Sequence, residues 1–152
     1  MRTLSVKALD RVMVVALGAQ NPTDAEWDET VAVGRQLLEA AGRDASRTGG
    51  IVFTDGGSPS SRQRQKAREL YGEKPPSLAL VTDSVVARGA AAIFSLFWPS
   101  GNAVFSSSDW EKALRHAGIT PSQDAEAVRL LQSMQREVGE LGVLKALLAA
   151  KR

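Results

Sequence analysis

Short apolar runs alternate with helical patterns along most of this chain, and this alternation restricts the folds that it can adopt. The run from Val12 to Leu17 is almost entirely apolar, which is typical of a strand covered on both faces. A run at 3–9 precedes it across a tight turn, and three further runs follow at 51–54, 78–82 and 102–106. Strands that alternate with helices after one opening hairpin predict an α/β fold. We expect a single-layer mixed, mostly parallel sheet of about five strands, packed with about four helices.

The last part of the chain carries a different pattern. From Val128 to Leu148, apolar residues recur every three or four positions, as on one side of a helix. Gly139 and Gly142 interrupt the stripe, so one long helix and two shorter helices both fit the pattern. We therefore divide the chain into an α/β domain at 1–119 and a helical C-terminal extension at 120–152.

The composition excludes several classes of protein. The chain has 152 residues and no cysteine, which excludes a disulfide framework, thiolate metal sites and a cysteine nucleophile. A net charge of +2 gives no global electrostatic reason to expect nucleic acid as a partner. The apolar stretches fall short of the roughly 20 residues that span a bilayer, and charges near the N-terminus do not fit a secretion signal. We expect a cytoplasmic protein with no membrane span, no cofactor and no metal.

Three phrases of the sequence resemble a known family. They are TDGGSPSSRQR at 54–64, ALVTDSVVARGAAAIFSLFWP at 79–99 and AVFSSSDWEKALRHAGI at 103–119. Together with the order of strands and helices, they resemble the STAS domain. This is the SpoIIAA-like fold of bacterial anti-sigma-factor antagonists, here in a divergent form related to the CRAL-TRIO fold. The resemblance covers roughly residues 1–118.

The resemblance implies a bacterial, non-enzymatic regulatory module that binds another protein. In well-studied members, a partner kinase phosphorylates a serine directly after an aspartate, where the helix after the third strand begins, and this breaks the complex. Asp55 stands at the matching place, but two glycines follow it and the first serine comes three positions later. The predicted contact or phosphorylation loop consists of Asp55, Gly56, Gly57, Ser58, Ser60, Ser61 and Arg62.

The residues themselves leave the role of this loop open. It can be a turn between a strand and a helix from about Pro59 to Tyr71, with Ser58 as the helix cap. It can also be a surface that binds a partner, because the free amides and the positive end of a helix favour anions. The spacing does not match a phosphate-binding P-loop. The helix that follows alternates basic residues, which either face solvent or contact an acidic protein or nucleic acid.

A second loop follows the fourth predicted strand, at Asp83 and Ser84. Because the carboxyl ends of parallel strands share one edge of a sheet, Asp55 and Asp83 are predicted to lie at the same edge. Either they hold a metal ion there, or they bind the amides of their own turns and helix. One of Asp83 and Ser84 is expected to cap the next helix.

The helix predicted at 84–98 is the most apolar segment of the chain. Val86 and several later side chains suit core packing, yet apolar residues also occupy its other sides. The apolar residues on those other sides can be covered by the C-terminal segment, by a second copy of the chain in a self-associating assembly, or by a small lipophilic ligand. The predicted interface consists of Phe94, Phe97, Trp98, Leu141, Leu144 and Leu148.

Overall fold

A computed structural model describes residues 1–89 and 102–150 of the chain. Within these ranges five strands form one sheet in the order β1-β2-β3-β4-β5. The first pair is antiparallel and the other three pairs are parallel, which confirms the predicted α/β class with a mixed, mostly parallel sheet. The strands are β1 (Leu4–Leu9), β2 (Val12–Leu17), β3 (Gly49–Thr54), β4 (Ser77–Val81) and β5 (Asn102–Phe105).

Six helices accompany the sheet in the described ranges. Of the third helix, the structure describes residues 85–89. The helices are α1 (Asp24–Ala40), α2 (Ser61–Tyr71), α3 (85–89), α4 (Trp110–Ala117), α5 (Asp124–Val138) and α6 (Lys145–Ala150).

The strand order explains where the helices lie. Each parallel strand is added on the same side of its predecessor, so right-handed crossovers place the connecting helices α1 and α2 on one face of the sheet. Helix α1 packs on β1 and β2, and α2 packs on α1. On the opposite face, α4 covers β3, β4 and β5, and α5 covers β1 and β2. The sheet therefore has helices on both faces.

The main hydrophobic core lies on the face of α4, α5 and α6. Phe53 of β3 is completely buried there, together with Leu114, Met134 and Leu147 from the three helices. The C-terminal helices thus contribute side chains to the same cluster as the sheet. The apolar stripe is divided between two helices, because α5 ends at Gly139, whose φ of 90° does not continue a helix.

Glu26 ties the first helix to the first strand. Thr23 and Glu26 have the spacing that predicts a capping box, and the box forms: the Thr23 hydroxyl accepts from the Glu26 amide, and the Glu26 carboxylate accepts from the Thr23 amide. The same carboxylate accepts from the amides of Thr3, at 2.8 Å, and Leu4, at 3.1 Å. Burial opposes the ionisation of Glu26, but hydrogen bonds from the Thr3 hydroxyl and from the amides of Thr23, Leu4 and Thr3 outweigh it and lower the pKa of Glu26 to about 2.

Helix α2 begins later than the sequence interpretation had it. Ser60, and not Ser58, is the cap: its hydroxyl accepts from the Gln63 amide at 3.1 Å, and the Gln63 side chain accepts from the Ser60 amide at 2.9 Å. The predicted cap at Ser58 was wrong because only Ser60 has a glutamine three residues later to complete the box.

Candidate functional site

A Thr-Asp pair closes each of the two central parallel strands at its carboxyl end. Thr54 and Asp55 stand at the end of β3, and Thr82 and Asp83 stand at the end of β4. Successive side chains of a strand point to opposite faces. Each threonine is therefore directed to the face of α1 and α2, and each aspartate to the other face. Both aspartates therefore lie at the carboxyl edge of the sheet, as the sequence predicts.

The two threonines hold the strand ends together. The Thr54 hydroxyl accepts from the Gly56 amide at 3.0 Å and donates to the Gly57 carbonyl at 2.7 Å. The Thr82 hydroxyl donates to the Thr54 carbonyl at 2.9 Å and accepts from the Ser84 amide at 3.1 Å. Both hydroxyls thus satisfy backbone groups that the end of a strand would otherwise leave unpaired, and they fix the course of both loops.

The two aspartates bind different segments of the chain. The Asp55 carboxylate accepts from the amides of Gly142, at 2.8 Å, and Val143, at 2.9 Å. The Asp83 carboxylate accepts from the Ser107 amide at 3.0 Å and from its hydroxyl at 2.6 Å, and these bonds lower the pKa of Asp83. Each carboxylate therefore has a structural role within the chain.

The two glycines of the loop are required for different reasons. Gly56 has a φ of 138°, a conformation that favours glycine. Gly57 has no space for a side chain, because a Cβ there would lie 2.1 Å from the Gln20 carbonyl oxygen. Its amide donates to the Gly18 carbonyl at 2.9 Å. The loop after β3 is thereby packed directly on the loop after β2.

The serines of the predicted loop differ in how far they are engaged. Ser60 caps α2, and the Ser61 hydroxyl accepts from an Arg64 Nη2 at 3.0 Å. The Ser58 amide donates to Asn21 at 3.1 Å, whereas its hydroxyl forms no hydrogen bond within 1–89 and 102–150. Ser60, Ser61 and the adjacent Arg62 are exposed to solvent.

The second predicted loop lies directly beside the first. A Cβ at Gly56 would be 3.5 Å from the Ser84 hydroxyl, and that hydroxyl caps α3 by accepting from the Ala87 amide at 3.2 Å. Of the two expected caps, Ser84 therefore has the role. The next two residues, Val85 and Val86, are 84% and 72% exposed.

This exposed valine pair was not recognised from the sequence, which assigned Val86 to core packing. That assignment was wrong at this position, since α3 presents both valines to solvent in its first turn.

The structure places the predicted interface residues in two groups. Leu141, Leu144 and Leu148 are 2%, 0% and 9% exposed and belong to the main core of the chain. A second chain cannot reach these side chains unless the C-terminal helices leave that core. Phe94, Phe97 and Trp98 lie outside the described residues.

The basic helix α2 uses part of its charge inside the chain. Lys66 forms an ion pair with Asp28 at 2.8 Å, and Arg64 donates to the Pro59 carbonyl at 2.8 Å. In the described part of the chain, no group of three or more His, Cys, Asp or Glu side chains is arranged to hold a metal ion. No helix within those same ranges has the length and apolar character needed to cross a bilayer.

No protein-family model matches the chain, and searches of curated proteins and of solved structures give no match either. The function is therefore inferred from the geometry of the chain itself.

Proposed function

We propose that this chain is a non-enzymatic, regulatory protein-interaction module that binds its partner through the carboxyl edge of the sheet. We call this region the carboxyl-edge surface. The observation that carries the proposal is the exposed pair Val85 and Val86 beside a polar, serine-rich loop. The surface consists of Ser58, Ser60, Ser61, Arg62, Asp83, Val85 and Val86.

The valine pair supplies the apolar centre that such a surface needs. Within 1–89 and 102–150, only Met1, Val85, Val86 and Val104 are large apolar side chains with high exposure. Two of these four are adjacent in sequence and stand next to the loop after β3. Protein interfaces combine an apolar centre with a polar, solvent-accessible rim. Ser60, Ser61 and Arg62 are suited to form that rim.

The backbone beneath this surface is held firmly. Thr54 and Thr82 bind both loops, and Gly57 is packed against the loop after β2. Binding to a surface that is already ordered costs less conformational entropy than binding to a loose one. The hydrogen bonds at the strand ends therefore favour a contact role for the loops that they support.

The same place suits regulation by phosphate. Ser58 and Ser60 lie at or before the N-terminus of α2, where the helix dipole stabilises negative charge, and Arg62 follows in the first turn. A phosphate there would add a charge of about −2 to the rim of the surface. The resemblance of the TDGGSPSS phrase to STAS domains supports this, since their switch serine comes at the start of the corresponding helix.

A site-specific crosslinking experiment tests the proposal in the native cell. A photoreactive amino acid replaces Val86 in one variant and Glu39, an exposed residue of α1, in the control variant. We expect a discrete crosslinked protein from position 86 that is missing from position 39. Equal product patterns from the two positions would contradict a specific contact at the carboxyl edge.

The recovered partner is then used in a direct binding measurement. We expect the double variant Val85→Ser, Val86→Ser to weaken binding at least tenfold, and Ser58→Glu to weaken it as well, while Glu39→Gln leaves it unchanged. A second copy of this chain is one partner that this design can reveal, and light scattering on both variants identifies it. Unchanged affinity in the valine variant would overturn the proposed surface.

A further inference from the structure

Strand β1 forms one edge of the sheet, and its outer side carries backbone groups that β2 does not use. The Gly18 amide donates to the Thr3 carbonyl at 3.0 Å, so Thr3 and every second residue after it direct their backbone groups towards β2. In an antiparallel pair the residues between them point the other way. Leu4, Val6 and Ala8 therefore direct their amides and carbonyls out of the sheet.

The chain itself closes the beginning of this edge and leaves the rest open. The Leu4 amide donates to the Glu26 carboxylate at 3.1 Å, and the Leu4 carbonyl accepts from Arg2 Nε at 3.0 Å. Val6 is half-buried and Ala8 is exposed, and within 1–89 and 102–150 their outward amides and carbonyls have no hydrogen-bond partner. An edge with such groups is a template for pairing with a further strand.

The short length of the open stretch identifies its partner as a second copy of β1. A longer foreign strand would run on from Val6 to Leu4, whose backbone groups are already bound. A second β1, antiparallel to the first about a two-fold axis at Lys7, pairs Val6 of each copy with Ala8 of the other. Leu4 then faces Asp10, where a φ of 51° turns the other strand away from the edge. The closed end of each strand thus meets the turning end of the other, and every open group is paired.

The charges beside the axis are balanced in such a pair. A lysine in an edge strand usually opposes pairing, and the two copies of Lys7 would face each other across the axis. Each Lys7 Nζ is paired with the Glu137 carboxylate of its own chain at 3.3 Å, and the two side chains are 42% and 35% exposed. The lysines and glutamates of both copies therefore form a cluster with no net charge.

We propose that the chain forms a reversible dimer in which β1 of one copy pairs antiparallel with β1 of another, so that one sheet runs through both chains. The contact consists of a short stretch of backbone, and small interfaces are typical of weak, transient association. This surface lies on β1 and does not depend on the proposed carboxyl-edge surface at the ends of β3 and β4.

Sedimentation equilibrium of the full chain, together with amide hydrogen exchange measured by NMR, tests the proposal. We expect a monomer–dimer equilibrium, with exchange of the Val6 and Ala8 amides that becomes slower as the protein concentration rises. Ala8→Pro removes the outward amide without removing a hydrogen bond within the chain, and should weaken dimerisation at least tenfold. The matched variant Ala8→Thr keeps the amide at the same exposed position and should dimerise as the natural chain does.

A charge variant provides a second test that does not depend on whether Ala8→Pro folds. Lys7→Glu should prevent dimerisation, because the axis would then bring only carboxylates together. Adding Glu137→Lys to this variant reverses both charges and should restore the dimer. The proposal is overturned if the natural chain is monomeric up to about 1 mM, or if Lys7→Glu dimerises as the natural chain does. It is also overturned if Ala8→Pro and Ala8→Thr dimerise equally, or if the amides protected in the dimer lie outside β1.

Discussion

The Asp55 carboxylate accepts a hydrogen bond from the Gly142 amide 2.8 Å away, and so joins the end of β3 to a segment 87 residues later. A second bond from the Val143 amide completes the contact. Asp55 thereby binds the first two amides of the short turn that precedes α6, amides that the start of a helical segment leaves without a backbone partner. The first residue of the predicted contact loop thus also holds the C-terminal segment in place.

Replacing this carboxylate should destabilise the whole fold. We expect Asp55→Ala to lower the free energy of unfolding by about 1–3 kcal/mol, because two backbone amides lose a charged acceptor. Urea denaturation followed by circular dichroism measures the difference. Glu39→Ala, on the exposed side of α1, serves as the control and should change stability by less than about 0.5 kcal/mol. Equal stability of the two variants would show that water replaces the Asp55 contacts without cost.

Glu26 should make stability depend on pH in the acid range. Its pKa falls from 4.5 to about 2 in the folded chain, so the folded state favours the ionised form. The resulting stabilisation, on the order of 3 kcal/mol, is complete above pH 4.5 and is lost as the pH falls towards 2. Denaturation at a series of pH values should show this loss in the natural chain.

The variant Glu26→Gln isolates that contribution. We expect it to be less stable than the natural chain at pH 7 and to approach it as the pH falls, because the natural side chain becomes neutral too. If the free energies of unfolding of the two proteins differed by the same amount at every pH between 7 and 3, Glu26 would not be the group that makes stability depend on pH. Glu39→Gln should follow the natural chain throughout.

Gly57 should tolerate no side chain. A Cβ there would lie 2.1 Å from the Gln20 carbonyl oxygen, and backbone cannot move aside as a flexible side chain can. We expect Gly57→Ala to cost about 2 kcal/mol or more through overpacking. The neighbouring Gly18→Ala is the matched control, since its Cβ would meet only the Thr3 carbonyl oxygen, at 3.8 Å. Thermal unfolding of the two variants compares them directly, and similar midpoints would contradict the close packing of the loops.

The C-terminal helices should be essential to the stability of the sheet. We expect Leu147→Ala, at a completely buried position, to cost about 2–5 kcal/mol, and Val85→Ala, at an exposed one, to change stability by less than about 0.5 kcal/mol. A chain that ends at residue 119 should lose cooperative unfolding, because Phe53 and Leu114 would be exposed. Cooperative unfolding of residues 1–119 would instead show that they fold without the extension.

Local patterns in the sequence were sufficient to predict the fold class. The apolar run at Val12–Leu17 identified a strand covered on both faces, and the spacing of Thr23 and Glu26 identified a capping box; both are present. The start of α2 could have been predicted as well, since Ser60 and Gln63 have the spacing of a capping box. Ser58 precedes a proline, which suits the first position of a helix, but the residue three positions after Ser58 is a serine that cannot complete the box.

The contacts of Asp55 and the burial of Leu144 depend on distant parts of the chain. An amphipathic stripe shows that one face needs a cover, but it does not say whether that cover is the same chain or another. Leu144 is covered by the sheet of its own chain. Similarly, nothing near Asp55 in the sequence indicates that its partners are the amides of residues 142 and 143.

The packing of α5 on β1 has a consequence for how the chain is made. Ser5 bonds to Glu137, which stands 132 residues later, and the same glutamate pairs with Lys7. During synthesis at about 5–20 residues per second, one side of the opening hairpin therefore waits on the order of ten seconds for its partner helix to leave the ribosome. Until then its apolar side chains are accessible to chaperones, and α5 covers a pair of strands that was made well before it.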